Sequence, residues 1–224
     1  MACRGRIKAV FYSMMHKITA LTVQKRNRRR VNVYLDGEFA FGLAHFVAAW
    51  LQVGQEINDE KIGQLRVEDA RETGYQQALT FLSYRVRSES EVRQNLRKHK
   101  IDDDVQEDVL ERLRANEMVD DVRFARIWVE NRSELRPRSR RMLAYELRQR
   151  GVDQEIIDLT LEGLDEDKLA YHAALKHSRK LQNLEREGFR KKMYGFLSRR
   201  GFNYQVSSEV VNRIWEDQQL KSET

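Results

Sequence analysis

Three kinds of side chain in this sequence could carry chemistry: clustered carboxylates, histidines and arginines. Asp102-Asp103-Asp104 suggests a cation site. A calcium-binding helix–loop–helix needs glycine at the sixth loop position and glutamate at the twelfth, and counting from Asp102 gives Glu107 and Leu113. Carboxylates at a helix start are favoured by the macrodipole with no metal at all, and the same account covers Asp120-Asp121. His172 and His177 lie five apart, which does not put both on one helical face as a pair of metal ligands requires, and His45 and His99 are isolated. No phosphate-binding glycine loop, Ser/His/Asp or Cys/His arrangement, or cysteine–histidine metal set is present. A metal-dependent nuclease built on these aspartates would cleave with magnesium, and none is expected. The sequence therefore points to a binding protein rather than an enzyme, with no cofactor and no metal.

The arginines are harder to explain away. Lys25-Arg26-Asn27-Arg28-Arg29-Arg30 places five basic residues in six positions between two strand-like segments. Like charges crowded on one hairpin tip repel one another, and an anionic partner would relieve that. A second basic segment holds Arg132, Arg136, Arg138, Arg140, Arg141, Arg148 and Arg150. Arg148 and Arg150 sit in a helix's last turn, where a cation gains about 0.3–1 kcal/mol unaided; the other five need another reason. Arg85 and Arg87 precede Ser88, which with Glu91 forms a capping box and so has a structural role. Arg190-Lys191-Lys192 and Arg199-Arg200 add further charge. The candidate partner- or DNA-binding residues are therefore Lys25, Arg26, Arg28, Arg29, Arg30, Arg85, Arg87, Arg132, Arg136, Arg138, Arg140, Arg141, Lys191 and Lys192.

The elements that must position them are repeated. With Leu96, Leu147 and Leu197 in register, four places on stand Lys100, Gly151 and Gly201, then Ile101, Val152 and Phe202, then Asp102, Asp153 and Asn203. Apolar positions follow at Val105/Ile156/Val206, Leu110/Leu161/Val211 and Leu113/Leu164/Ile214. A period of about fifty residues is that of tandem helical units. Each unit reads as a helix stopped by a left-handed residue, a cap, and a second helix with one apolar face. A further amphipathic segment precedes each aligned leucine, carrying Tyr75, Ala78, Leu79 and Leu82, then Phe124, Ala125, Ile127 and Trp128, then Leu169, Tyr171, Ala174 and Leu175. Pro137 breaks the chain between the first and second helices of the middle unit. Phe202, Tyr204 and Trp215 are expected in the core.

Ahead of the repeats the pattern is that of strands. Ile18–Val23 and Val31–Leu35 alternate, and Asp36-Gly37 is a two-residue hairpin signal before Glu38–Phe41. A sheet this small needs a helix over it; a helix from Leu43 to Leu51 would supply Phe46, Val47 and Trp50, followed by a short helix over Asn58–Leu65 capped by Asn58. The expected fold is mainly α: three tandem three-helix repeats, helix-turn-helix-like, after a small antiparallel β-hairpin and helix piece. The expected divisions are a disordered leader over 1–17, the N-terminal piece over 18–68, repeats over 69–119, 120–166 and 167–217, and a frayed tail over 218–224. Arg4, Arg6 and Lys8 precede an apolar run from Ala9 to Met15, but His16 and Lys17 follow at once without a small-residue cleavage pattern. Met14 or Met15 is an alternative start.

With 224 residues, 41% hydrophobic and 34% charged, the chain can bury a core, and its single proline favours helix. No run approaches the roughly 18 apolar residues of a membrane span. Net charge is +6 with a pI near 9.4, which suits an anionic partner. The lone Cys3 cannot form an internal disulfide, which fits a reducing cytoplasm.

Arg85-Val86-Arg87-Ser88-Glu89 with Glu91-Val92 and Leu96, Asp120–Ala125, Glu146–Val152 and Phe196–Phe202, in that order and spacing, resemble the RecX family of bacterial recombinase regulators over roughly Ile18 to Asp217. The family usually has a glycine near the junction where this sequence has Arg136-Pro137-Arg138-Ser139. The resemblance implies a non-enzymatic regulator of DNA repair and recombination in the SOS response. It implies binding in the groove of the RecA recombinase–DNA filament, suppression of its ATPase and strand exchange, and contact with single-stranded or filament-bound DNA through phosphates. A monomer is expected, with Arg136, Arg138, Arg140 and Arg141 on a concave basic side as first contacts and the Lys25–Arg30 tip as a second arm. The competing reading is a stand-alone nucleic-acid-binding module of helix-turn-helix type.

Overall fold

A computed structural model describes residues 14–222. The first elements are the strands β1 (Met15–Val23), β2 (Arg30–Leu35) and β3 (Glu38–Ala44), the short helix α1 (His45–Ala48) and the strand β4 (Glu56–Asn58). They form one antiparallel sheet in the order β3-β2-β1-β4. Asp36 and Gly37 both take positive φ, as a two-residue hairpin with this twist requires. Ile18, Val31, Val33, Leu35, Phe41 and Leu43 fill its buried face.

Several expectations change here. Residues 15–17 belong to β1 and pair with β4, a strand the sequence pattern does not announce, while the part of the expected leader before residue 14 lies outside the described residues. The helix expected from Leu43 is still strand through Ala44, because Phe41 and Leu43 continue the buried alternation. Phe46 and Trp50 do not cover the sheet; they are 70% and 83% exposed, and Val47, Ala48, Leu51 and Leu65 do so instead.

Asn58 caps the next helix, its side chain accepting the Lys61 N–H as expected. That helix does not stop at Leu65. It runs without a break as α2 (Asp59–Leu82), so the expected boundary at 68/69 falls inside it. The helices α3 (Glu89–Lys98), α4 (Asp103–Ala115), α5 (Asp121–Leu135), α6 (Arg140–Arg148), α7 (Gln154–Leu161), α8 (Glu166–Ser178), α9 (Arg186–Arg199) and α10 (Tyr204–Ser222) follow. The last continues past Asp217, where a frayed tail was expected.

The described chain forms two compact units, 14–83 with 95–113, and 84–94 with 114–222. In the first, Tyr75, Ala78, Leu110 and Leu113 are buried beyond the sheet core. In the second, Phe124, Ala125, Leu143, Leu147, Val152 and Ile157 form one cluster, while Leu169, Ala173, Phe189, Met193, Leu197, Phe202 and Val211 form another. Trp215 packs on Phe189 at 5.2 Å between ring centroids, but Tyr204 is exposed, contrary to expectation.

The aligned helix stops behave alike. Lys100, Gly151 and Gly201 all have positive φ, at 59°, 73° and 89°. Just beyond them, the N–H groups of Ile101, Val152 and Phe202 each reach back to the Leu96, Leu147 and Leu197 carbonyls at 3.2 Å. This six-to-one bond satisfies a carbonyl that the helix end would leave open. At Gly151 and Gly201 a second demand is added. A Cβ at Gly151 would overlap the Ser90 side chain, and one at Gly201 would overlap Ser139 Oγ. Lys100 keeps a side chain there because it is exposed.

Gly201→Ala is expected to cost about 1–3 kcal/mol from the left-handed backbone, with the overlap on Ser139 adding to it. Lys100→Gly should shift stability by less than about 1 kcal/mol. Urea unfolding followed by circular dichroism compares the two; equal effects would refute the distinction.

Candidate partner-binding surface

Where the second unit's repeats meet, the chain uses one device twice. Arg85-Val86-Arg87-Ser88 leads into α3, and Arg136-Pro137-Arg138-Ser139 leads into α6. Both serines cap their helices: the Glu91 N–H donates to Ser88 Oγ and the Met142 N–H to Ser139 Oγ. The Glu91 carboxylate in turn accepts the Ser88 N–H, at a long 3.4 Å, completing the expected capping box. Each serine also holds the helix end of the next repeat. Ser88 Oγ donates to the Arg150 carbonyl at 2.6 Å, and the Ser139 N–H to the Arg200 carbonyl at 3.0 Å. A carbonyl that the helix end leaves open gains a partner in both cases.

This brings arginines together. At the first meeting point, Glu91 binds Arg85 at 2.7 Å and Arg150 at 2.5 Å. Burial alone would raise the Glu91 carboxyl; the two guanidiniums outweigh it and hold it below its ordinary value. Arg150 and Arg132 each stand 4.5 Å from the Trp128 ring centroid, a cation–π arrangement. The Trp128 indole N–H and Arg132 Nε both donate to Glu146 Oε2, and Arg138 Nε lies 3.0 Å from Glu146 Oε1. A cleft of about 310 Å³ opens beside this group, lined by Arg85, Val86, Phe124, Ile127, Trp128 and Arg132 among others. Burial, and then Arg85, lower the pKa of Arg87.

At the second meeting point Arg200 donates to the Pro137 carbonyl at 3.0 Å and stacks on Phe196 at 4.4 Å. Pro137 is buried between Arg136 and Arg138 in sequence. Burial lowers the Arg200 pKa first, and the nearby charges of Arg138 and Arg136 lower it further.

The arginines expected to act as one patch therefore divide. Arg136 and Arg138 flank Pro137, whose carbonyl Arg200 reaches, whereas Arg140 and Arg141 line a different cleft with Asp158, Glu162 and Glu166, and Arg140 donates to the Leu164 carbonyl. Arg132 and Arg138 are held by Glu146. Lys191 and Lys192 are exposed on α9. In the first unit Lys25, Arg26, Arg28 and Arg29 are exposed at the β1–β2 turn. Arg30 turns inward to Asp69, Gly42 and Thr73.

Trp128, Glu146 and Arg200 join this surface although the sequence pattern did not mark them as part of it. A signal was present, since Arg-x-Arg-Ser recurs at the repeat's own spacing. Either Asp120 or Asp121 could cap the helix carrying Phe124; Asp120 does so, and Asp121 accepts the Glu89 N–H at the start of α3. Among the described residues no group of three or more His, Cys, Asp or Glu could hold a metal.

Repeated three-helix domains after a small antiparallel sheet, with arginines gathered where consecutive repeats of the second unit join, define a helical-repeat protein. The chain belongs to the RecX family of regulatory proteins. Residues 16–58 match the regulatory protein RecX N-terminal domain, and 75–113, 120–161 and 165–211 match the first, second and third RecX three-helix domains. It is 31% identical to a regulatory protein RecX of Oceanobacillus iheyensis, over 93% of this chain and 84% of that protein. It is 30% identical to one of Clostridium beijerinckii, over 89% and 96%. A crystal structure of regulatory protein RecX superposes with a TM-score of 0.67 at 28% identity, covering 88% of this chain and 99% of the other. A RecX structure from Lactobacillus salivarius shares the fold, with a TM-score of 0.57 at 23% identity, over 65% and 97%.

Glu89 is also held below its ordinary carboxyl value, by Arg114 against the opposing effect of burial. A depressed folded-state pKa contributes stability that is present above the ordinary value of 4.5 and lost as pH falls through the folded value. Glu91→Gln should therefore be less stable at pH 7 by about 1–3 kcal/mol and lose less on acidification below pH 4.5 than the parent. Urea midpoints between pH 3 and 7 check this; parallel curves for parent and variant would contradict it.

Proposed function

We propose that this chain is a non-enzymatic regulator of the RecA recombinase. It binds as a monomer in the groove of the RecA–DNA filament, in the cytoplasm, and lowers ATP turnover and strand exchange. The observation that carries this is kinship: relatives at about 30% identity over nearly the whole chain are regulatory proteins. The exposed arginines support an acidic or phosphate-bearing target, and among the described residues no helix is long and apolar enough to cross a membrane.

The stand-alone helix-turn-helix reading fares less well on charge. In the middle repeat the helix after the turn is α7, which would have to lie in the major groove. It carries Glu155 and Asp158 and no basic residue, so phosphate-rich DNA would repel it.

ATP hydrolysis by RecA on single-stranded DNA, with and without stoichiometric protein, tests the reading. Turnover should fall as the protein approaches one copy per few RecA subunits. Unchanged turnover with filaments unchanged by electron microscopy would remove it.

A further inference from the structure

The two meeting points are built from the same sequence pattern but differ at one position. Three residues after the cap serine stands Glu91 in the first and Met142 in the second. Glu91 occupies Arg85 and Arg150. Met142 holds the matching sequence position and lies beside the second joint, its Cβ 3.1 Å from where a Cβ on Gly201, the neighbour of Arg200, would stand. It offers no charge. Among the described residues, neither Arg136 nor Arg200 has a carboxylate partner, and Arg138 shares Glu146 with Arg132 and Trp128. The helix starts differ in the same sense: α3 has Glu89 and Glu91 in its first turn, while α6 has no acid and begins Arg140-Arg141. The first meeting point carries its own carboxylate between two arginines, whereas at the second Arg138 alone reaches one.

We propose that Arg136, Arg138 and Arg200 hold a backbone phosphate of a nucleic acid at the Ser139 meeting point. Three guanidiniums present more donors than one carboxylate can use, and a tetrahedral phosphate offers more acceptor directions to fill them. Within this chain single carboxylates engage two guanidiniums each, Glu91 with Arg85 and Arg150, and Glu146 with Arg132 and Arg138. Pro137 and the Arg200–Pro137 bond fix the loop, so little ordering remains for the ligand to impose. The inference deepens the filament reading and rests on DNA being part of the target, but the test uses bare DNA, so either can fail without the other.

Anisotropy of a labelled single-stranded thymidine oligomer is measured against salt for the full chain, Met142→Glu, Met142→Gln and Arg136→Gln. Met142→Glu installs the first site's internal anion in the second. It should weaken binding about five-fold at 0.1 M salt and reduce the salt slope by roughly 0.7 for each phosphate the protein no longer neutralises. Arg136→Gln, an exposed residue that leaves the fold intact, should do the same, and Met142→Gln should not. An abasic oligomer should behave like the thymidine oligomer. Slopes unchanged in both charge variants would overturn the proposal. So would an effect seen only with poly-glutamate, which would assign the site to an acidic protein surface, or displacement by micromolar pyrophosphate, which would assign it to a small anion. If Met142→Glu misfolds, Arg136→Gln decides alone.

Discussion

The second unit depends on a carbonyl at the end of a helix being received by the cap residue of the repeat before it. Arg150 and Arg200 lie in the last turn or just past it, where a helix leaves carbonyls without internal partners. Water would satisfy them on an isolated helix. Here Ser88 and Ser139, already engaged as caps by their own helices, satisfy them instead. Such closeness is possible only if the next residue has no side chain, and both times it is glycine with positive φ. One contact therefore sets the helix stop, the glycine and the spacing of consecutive repeats.

The same contact gathers the charge. Arginine at the helix end and arginine one and three places before the cap serine are far apart in sequence, and joining cap to carbonyl brings them to one place. Such crowding is unfavourable unless neutralised. The chain resolves it differently at the two places. Glu91 and the cation-flanked Trp128 close the first, while at the second Met142 supplies no charge and only Arg138 meets a carboxylate, that of Glu146.

Much of this was legible in the chain. The repeat register, the left-handed stops at Lys100, Gly151 and Gly201, the Asp36-Gly37 hairpin and the Ser88–Glu91 box all rest on local rules, and local rules travel with the sequence. What failed depended on distant partners. The continuity of α2 is not decided by its own pattern, which contains Gly63 and Gly74. Phe46 and Trp50 read as core by type, yet the sheet is covered by smaller neighbours and by Leu65. Arg30 sits in a run of exposed cations but finds Asp69. Arg150 reads as a helix-dipole residue alone, and Glu146 as nothing in particular, because their partners lie in other helices.

Amide hydrogen exchange at Ser139 tests the central claim most directly. If its N–H is truly held by the Arg200 carbonyl, it should exchange as slowly as the core amides of Met193 and Leu197, because it is released only when the third repeat lets go. Exchange at the rate of an exposed loop amide, while Met193 and Leu197 stay protected, would show that the repeats are not joined in this way.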